Sequence, residues 1–172
     1  MARITPIRAS LMGLELLFSI VTFVLFCIAY PDNYRTRLWS IGGERGWNSN
    51  PHLRIYYYAN HEDPPEIPLI WSQSLTDSAL AIATLSLILC VSRMVLSFYS
   101  FMMPAFGILY DAVLAMCWYY SANAQSSADL SDSEHISTRP WYLERACSAV
   151  AASDNDACFI GKMCFYVALV SL

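Results

Sequence analysis

Three ionisable residues interrupt stretches that are otherwise almost wholly apolar. Glu15 lies in SLMGLELLFSIVTFVLFCIAY, Arg93 in SLTDSALAIATLSLILCVSRMVLSF and Asp111 in PAFGILYDAVLAMC. A charge at the middle of a membrane helix costs about 2.5–3.5 kcal/mol on insertion scales, so pairing, protonation or a hydroxyl network must offset it. An acid, a base and a second acid at such depth read in two ways. They could form an ion or proton path, or a polar cluster that clasps helices in register. The apolar stretches offer few other polar positions, which favours the clasp; the path is kept as the alternative.

Other chemistry-bearing residues are sparse. There is no Gly-rich phosphate loop, no GxSxG and no pair of histidines spaced for a helical metal site. His52, His61 and His135 are the only histidines. His61-Glu62-Asp63 precedes Pro64-Pro65 and reads as a solvated acidic turn, since no zinc or calcium spacing surrounds it. No catalytic residue, metal or cofactor is expected, and the chain is not read as an enzyme. Of six cysteines, Cys27, Cys90, Cys117 and Cys164 lie in apolar stretches, where they serve as small apolar residues. Cys147 and Cys158, in RACSAVAASDNDACF, fall between such stretches and are expected to pair in an oxidising compartment. Closing a loop of about 11 residues would stabilise the fold by roughly 3 kcal/mol in the chain-entropy model.

The elements that must position these groups follow from composition. The 172 residues are 56% hydrophobic and 14% charged, against about 25% charged in a soluble domain. The expected fold is an all-α integral membrane protein with one domain, a bundle of four transmembrane helices. Its spans cover about 10–30, 74–98, 104–121 and 159–172. The fourth would reach only about 21 Å, short of a hydrocarbon core of about 30 Å, so it is expected to be incomplete. Arg3 and Arg8 precede the first span and place the N-terminus in the cytoplasm. Loops 31–73 and 122–158 then lie outside, and the short connection 98–103 inside. Tyr30, Trp71, Trp118, Tyr119 and Tyr120 fall at the outer span ends and read as an aromatic belt.

In that frame Glu15 and Arg93 lie at similar depth, near 7 Å from the inner side at about 1.5 Å per residue. Asp111 is roughly 6 Å deeper, within reach of an arginine side chain. Gly107, Asp111 and Ala115 share one helix face, so Asp111 is expected to face a helix neighbour, with Ala79, Ala83, Thr84 and Ser86 offered by the second span.

The first outer loop is long and aromatic. Leu53-Arg-Ile-Tyr-Tyr-Tyr58 is strand-like by residue type. Trp39, Trp47, Tyr56, Tyr57 and Tyr58 either pack on the bundle, the preferred arrangement, or form a docking patch for a partner. No Asn-x-Ser/Thr sequence occurs, so N-glycosylation is not expected. The net charge of −4 carries no nucleic-acid footprint.

The layout resembles the MARVEL-like four-helix (tetraspan) membrane proteins, especially the fungal branch of non-classical export proteins. The resemblance rests on the tight inner connection, on PAFGILYDAVLAMCWYYSANAQ with its acid in the first half, and on Cys158-Phe-Ile-Gly-Lys-Met-Cys-Phe leading into the last span. The long first loop departs from that pattern and suggests an added docking surface. The resemblance implies a non-enzymatic scaffold or accessory subunit of the plasma membrane or secretory pathway. Its expected partners are the lipid bilayer and other integral membrane proteins, in a larger complex or a homo-oligomer. The alternative is an ion or proton transporter or channel component using Glu15, Arg93 and Asp111.

Overall fold

Helices form wherever the apolar runs occur, and also in the loops between them. The structure, a computed structural model, describes residues 6–31, 33–64, 66–99, 101 and 103–172. Arg3, Pro65 and part of the connection 98–103 lie outside the described residues. Four long helices are α1 (Pro6–Ala29), α4 (Gln73–Phe98), α5 (Pro104–Gln125) and α7 (Asn155–Val170). Three shorter ones, α2 (Tyr34–Glu44), α3 (Arg54–Ala59) and α6 (Trp141–Glu144), belong to the intervening segments. No strand forms among the described residues, and one isolated antiparallel bridge joins Asp129 to Ser137. The protein is all-α.

Local chemistry sets several helix starts. Ser72 caps α4, its hydroxyl accepting from the Ser74 N–H at 3.2 Å. α5 begins at Pro104, where a missing N–H costs nothing. The segment Leu53–Tyr58 is helical and not strand-like. Asn50 accepts from the His52 N–H at 2.9 Å and starts a 3-10 turn at Pro51–Leu53 that runs into α3. The Asn-Pro start signal and the lack of a strand to pair with outweigh the β propensity of the tyrosines.

α1 packs on α4, α4 on α5, α5 on α7, and α7 closes back onto α1. Ala79 and Ala83 of α4 are fully buried and let the helices approach closely. Phe26 meets Trp118 with ring centroids 6.0 Å apart, and the Trp118 indole N–H donates to Ser86 Oγ at 3.1 Å. Trp71 and Trp118 are therefore core residues, 1% and 2% exposed, and not members of an outer belt. Tyr30, Tyr119 and Tyr120 are exposed. Sequence position puts all five near helix ends, but only packing decides which turn inward.

α1 and α4 are long and apolar enough to cross a membrane, with mean hydropathies of 2.4 and 2.2. Only 17% and 22% of their most apolar stretches are buried. Leu11, Leu14, Val21, Val24, Ile88 and Val91 all lie on the surface.

One end of the four helices is covered by a cap made of α2, α6 and the loops. α2 and α6 both pack on α7. Gly161 permits this, since a Cβ there would lie 3.0 Å from Leu38 and 3.3 Å from the Tyr142 ring. A Cβ on Gly42 would collide with the Asn48 side chain and lie 2.6 Å from Trp141. Trp71, Trp141, Tyr34, Tyr142, Leu38 and Ile70 form the cap's core. Among the described residues the opposite end carries no such cover and is open.

Candidate functional site

Toward the open end, Arg93 of α4 sits between acids from two other helices. Its Nη1 donates to Asp111 Oδ1 at 2.7 Å, and its Nη2 to Glu15 Oε2. The triad ties α1, α4 and α5 together in the bundle's lower half. Asp111 does not turn into a helix contact lined by hydroxyls. Its side chain is 64% exposed and reaches sideways to the arginine, which is 21% exposed. The hydroxyls expected to meet it are engaged within α4, Thr84 donating to the Leu80 carbonyl at 2.8 Å and Ser86 to that of Ile82 at 2.9 Å. With both acids ionised, the triad carries one net negative charge.

A cavity of about 290 Å³ adjoins the triad. Glu15, Ser19 and Thr22 line it from α1, Asp111 and Trp118 from α5, and Val170–Leu172 from the end of α7. Thr22 is 2% exposed, and its hydroxyl has no hydrogen-bond partner among the described residues.

The cap contains two further buried charges, which neither spacing nor periodicity marks. Arg35 of α2 is 1% exposed and has no carboxylate partner among the described residues. Its donors reach Thr76 Oγ1 at 2.9 Å, the Ile70 carbonyl at 3.1 Å and Gln125 Oε1 at 3.4 Å. Its guanidinium lies 5.1 Å from the centre of the Tyr34 ring. Burial pushes the phenol pKa values of Tyr34 and Tyr142 up, against the pull of Arg35, so both stay neutral beside it.

Asp129 is the cap's anionic counterpart, also 1% exposed. Oδ2 accepts from Ser49 Oγ at 2.6 Å, Trp71 Nε1 at 2.8 Å and the Ser49 N–H at 3.3 Å. Oδ1 accepts from Ser131 Oγ at 2.7 Å and the Ser131 N–H at 3.2 Å. Burial alone would raise its pKa. The hydrogen bonds from Ser49, Ser131 and Trp71 outweigh that and hold the carboxyl below the usual carboxylate range.

Cys147 and Cys158 are bonded, with Cα atoms 5.7 Å apart, and the bridge fastens the last loop to the start of α7. The five aromatic docking candidates separate. Trp39 is buried and donates to Ser49 Oγ at 2.9 Å. Trp47 is half-buried, 5.3 Å from Trp141 and covered by Arg45 and Arg145. These two build the cap and offer no docking face. Tyr56, Tyr57 and Tyr58 are exposed. With Leu53 and Ile55 they make an apolar ledge on α3, next to a cleft of about 160 Å³ that Leu53, Tyr57, Glu66 and Asp132 border. Of the histidines, His52 lies 3.8 Å from Glu44 and His135 3.0 Å from Asp132, while His61 occupies a turn with φ of 59°.

No family model matches the chain, and no solved structure matches it. A curated protein of Aspergillus oryzae, "Kojic acid related protein 1", is 27% identical over 90 residues. The alignment covers 52% of this chain and 34% of that protein, so the chain spans about a third of the length of the relative it matches.

Proposed function

We propose that the chain is a four-span membrane protein that works without catalysis, as a scaffold or accessory subunit for other integral membrane proteins. The observation that carries this is the apolar ledge of α3, with Ile55, Tyr56 and Tyr58 each more than 60% exposed. It projects from a cap whose other large aromatics are nearly all spent on internal packing. Tyrosine is enriched among the residues that anchor interfaces, and an exposed apolar patch marks an interaction surface. The apolar, little-buried surfaces of α1 and α4 support a bilayer setting, because a soluble protein would turn such helices inward. In this reading α5 and α7 complete the bundle, the N-terminus is cytoplasmic and the cap faces the oxidising side, where a disulfide persists. The MARVEL-like, non-classical-export layout fits this architecture, and the Aspergillus similarity fits a fungal setting. The plasma membrane is the proposed site, with the secretory pathway as the alternative.

The test is purification of the tagged chain from native membranes in gentle detergent, with stoichiometric mass spectrometry. A membrane protein recovered in fixed ratio, and lost from Ile55→Glu and Tyr58→Ala variants of unchanged thermal stability, is the expected result. Recovery of the chain alone, unaffected by those substitutions, would contradict it.

The ion triad supports a second reading, a proton or ion path through Glu15, Arg93 and Asp111. That reading requires flux into liposomes that Asp111→Asn abolishes. The scaffold reading requires bilayers that stay tight.

A further inference from the structure

We propose that the protein partner reaches the cap with an extended segment that carries a basic side chain among apolar ones, laid in a trough beside α3. This names the chemistry of the partner and so rests on the scaffold reading above. Two adjoining depressions make the trough. The cleft of about 160 Å³ at Leu53 and Tyr57 and a broader hollow of about 630 Å³ at Ile67 and Leu69 share Glu66 and Ser131 on their borders. Leu130 lines the hollow from the other side. Leu53, Ile67, Leu69 and Leu130 are between 45% and 69% exposed, so the apolar surface of the ledge continues along the trough.

Charge selects the occupant. Glu66 stands where the depressions meet, exposed and with no hydrogen bond or ion pair among the described residues. Asp132 lies on the cleft wall, where the Glu134 N–H at 3.0 Å and the His135 ring at 3.0 Å hold its carboxyl below the usual range. Among the described residues that line the cleft, Arg54 is the only cation against these two acids. A guanidinium fits best, since it can also stack on the Tyr57 ring. A phospholipid fits poorly, because its phosphate would meet Glu66. A second copy offers Arg45 and Arg145, but both already lie over Trp47. The backbone gives the occupant its form. Pro68 is extended, with φ −54° and ψ 136°, and the main-chain groups of Ile67 and Leu130 make no hydrogen bond among the described residues. An extended chain can take up such groups, as in strand addition at a sheet edge.

A phage library of random linear peptides, panned against the full-length chain in phosphatidylcholine nanodiscs, provides the test. Enriched peptides should carry arginine or lysine flanked by apolar residues. Their affinity should fall about fivefold in Glu66→Gln, the upper range for an exposed ion pair, and further in Glu66→Lys. It should also weaken as salt rises. Leu130→Ala should lower it too, whereas Asp156→Asn, outside the trough, should not. All three positions are exposed, so the variants are expected to fold. Peptides without a basic preference, or binding unchanged in either Glu66→Lys or Leu130→Ala, would overturn the proposal. So would failure to enrich any peptide over empty nanodiscs, or dimerisation of the chain that Glu66→Lys abolishes. The scaffold reading fails separately. A native partner lost from Ile55→Glu and Tyr58→Ala but retained by Glu66→Lys would leave that reading standing and overturn the trough.

Discussion

The two ends of the molecule house their charges by different means. In the cap, Arg35 and Asp129 are almost fully buried, and each is held by neutral partners: a hydroxyl, a carbonyl and an amide for the cation, hydroxyls, N–H groups and an indole for the anion. At the open end, Arg93 is shared between two carboxylates that remain partly exposed. Neutral groups saturate the two cap charges, although Tyr34 Oη, Tyr142 Oη and Asn48 Oδ1 nearby find no hydrogen-bond partner among the described residues. Direct charge pairing engages one oxygen of each carboxylate, Glu15 Oε2 and Asp111 Oδ1. Burial marks the charges of the first end and direct pairing those of the second.

The sharpest way to break this contrast is to remove the cap's anion. Asp129→Ala would strand donors from Ser49, Trp71 and Ser131, and hydrogen bonds to a charged group contribute about 1.5–3 kcal/mol each without adding fully. A loss of about 4 kcal/mol is expected, read as a lowered thermal midpoint and faster proteolysis within 122–158. An unchanged midpoint would mean that the cap is not held through this residue. Next in size, the Cys147→Ala, Cys158→Ala double variant should lose about 3 kcal/mol by chain entropy, the two cysteines being 11 residues apart. Reduction of the wild-type protein should reproduce it in the same unfolding assay.

The pH response sharpens the comparison further. Asp129's folded-state pKa lies below its unfolded value, so its stabilisation is complete above the ordinary carboxylate range and fades as pH falls through the lowered value. Emission from Trp71, which donates to Asp129, should report loosening of the cap on acidification. Asp129→Asn should flatten that acid response; an acid transition as steep as in the wild type would assign it elsewhere. The smallest effect belongs to the open end. Asp111→Asn should cost about 1 kcal/mol or less, because the carboxylate is largely exposed and Glu15 still holds Arg93. A loss as large as that of Asp129→Ala would erase the distinction between the ends.

The open end was largely legible in the sequence and the cap was not. Glu15, Arg93 and Asp111 stand out because each interrupts an apolar run, and helix rise alone levels them within a side chain's reach. The long helices 6–29, 73–98, 104–125 and 155–170 lie over the four apolar runs, and two of them, α1 and α4, are long and apolar enough to cross a membrane. Cys147 and Cys158 were separable from the other cysteines by polarity of context. Arg35 and Asp129 gave no such signal, since YRTRLWSIGGE and SSADLSDSEH read as ordinary polar loop. Their burial depends on distant partners, Thr76 and Gln125 for one, Ser49 and Trp71 for the other. The tyrosine run misled for the opposite reason: β propensity is a packing preference, and α3 has no strand to pack beside.

Sidedness of the cap tests the whole account most directly. Ile136 is exposed, and Ile136→Asn creates an Asn-Ser-Thr acceptor in a chain that otherwise has none. Expressed in a secretory system, this variant should gain one glycan, removable by endoglycosidase, with Cys147 and Cys158 oxidised in the same sample. A membrane-bound chain without the glycan, and with both thiols free to alkylation, would place the cap on the reducing side and contradict the account.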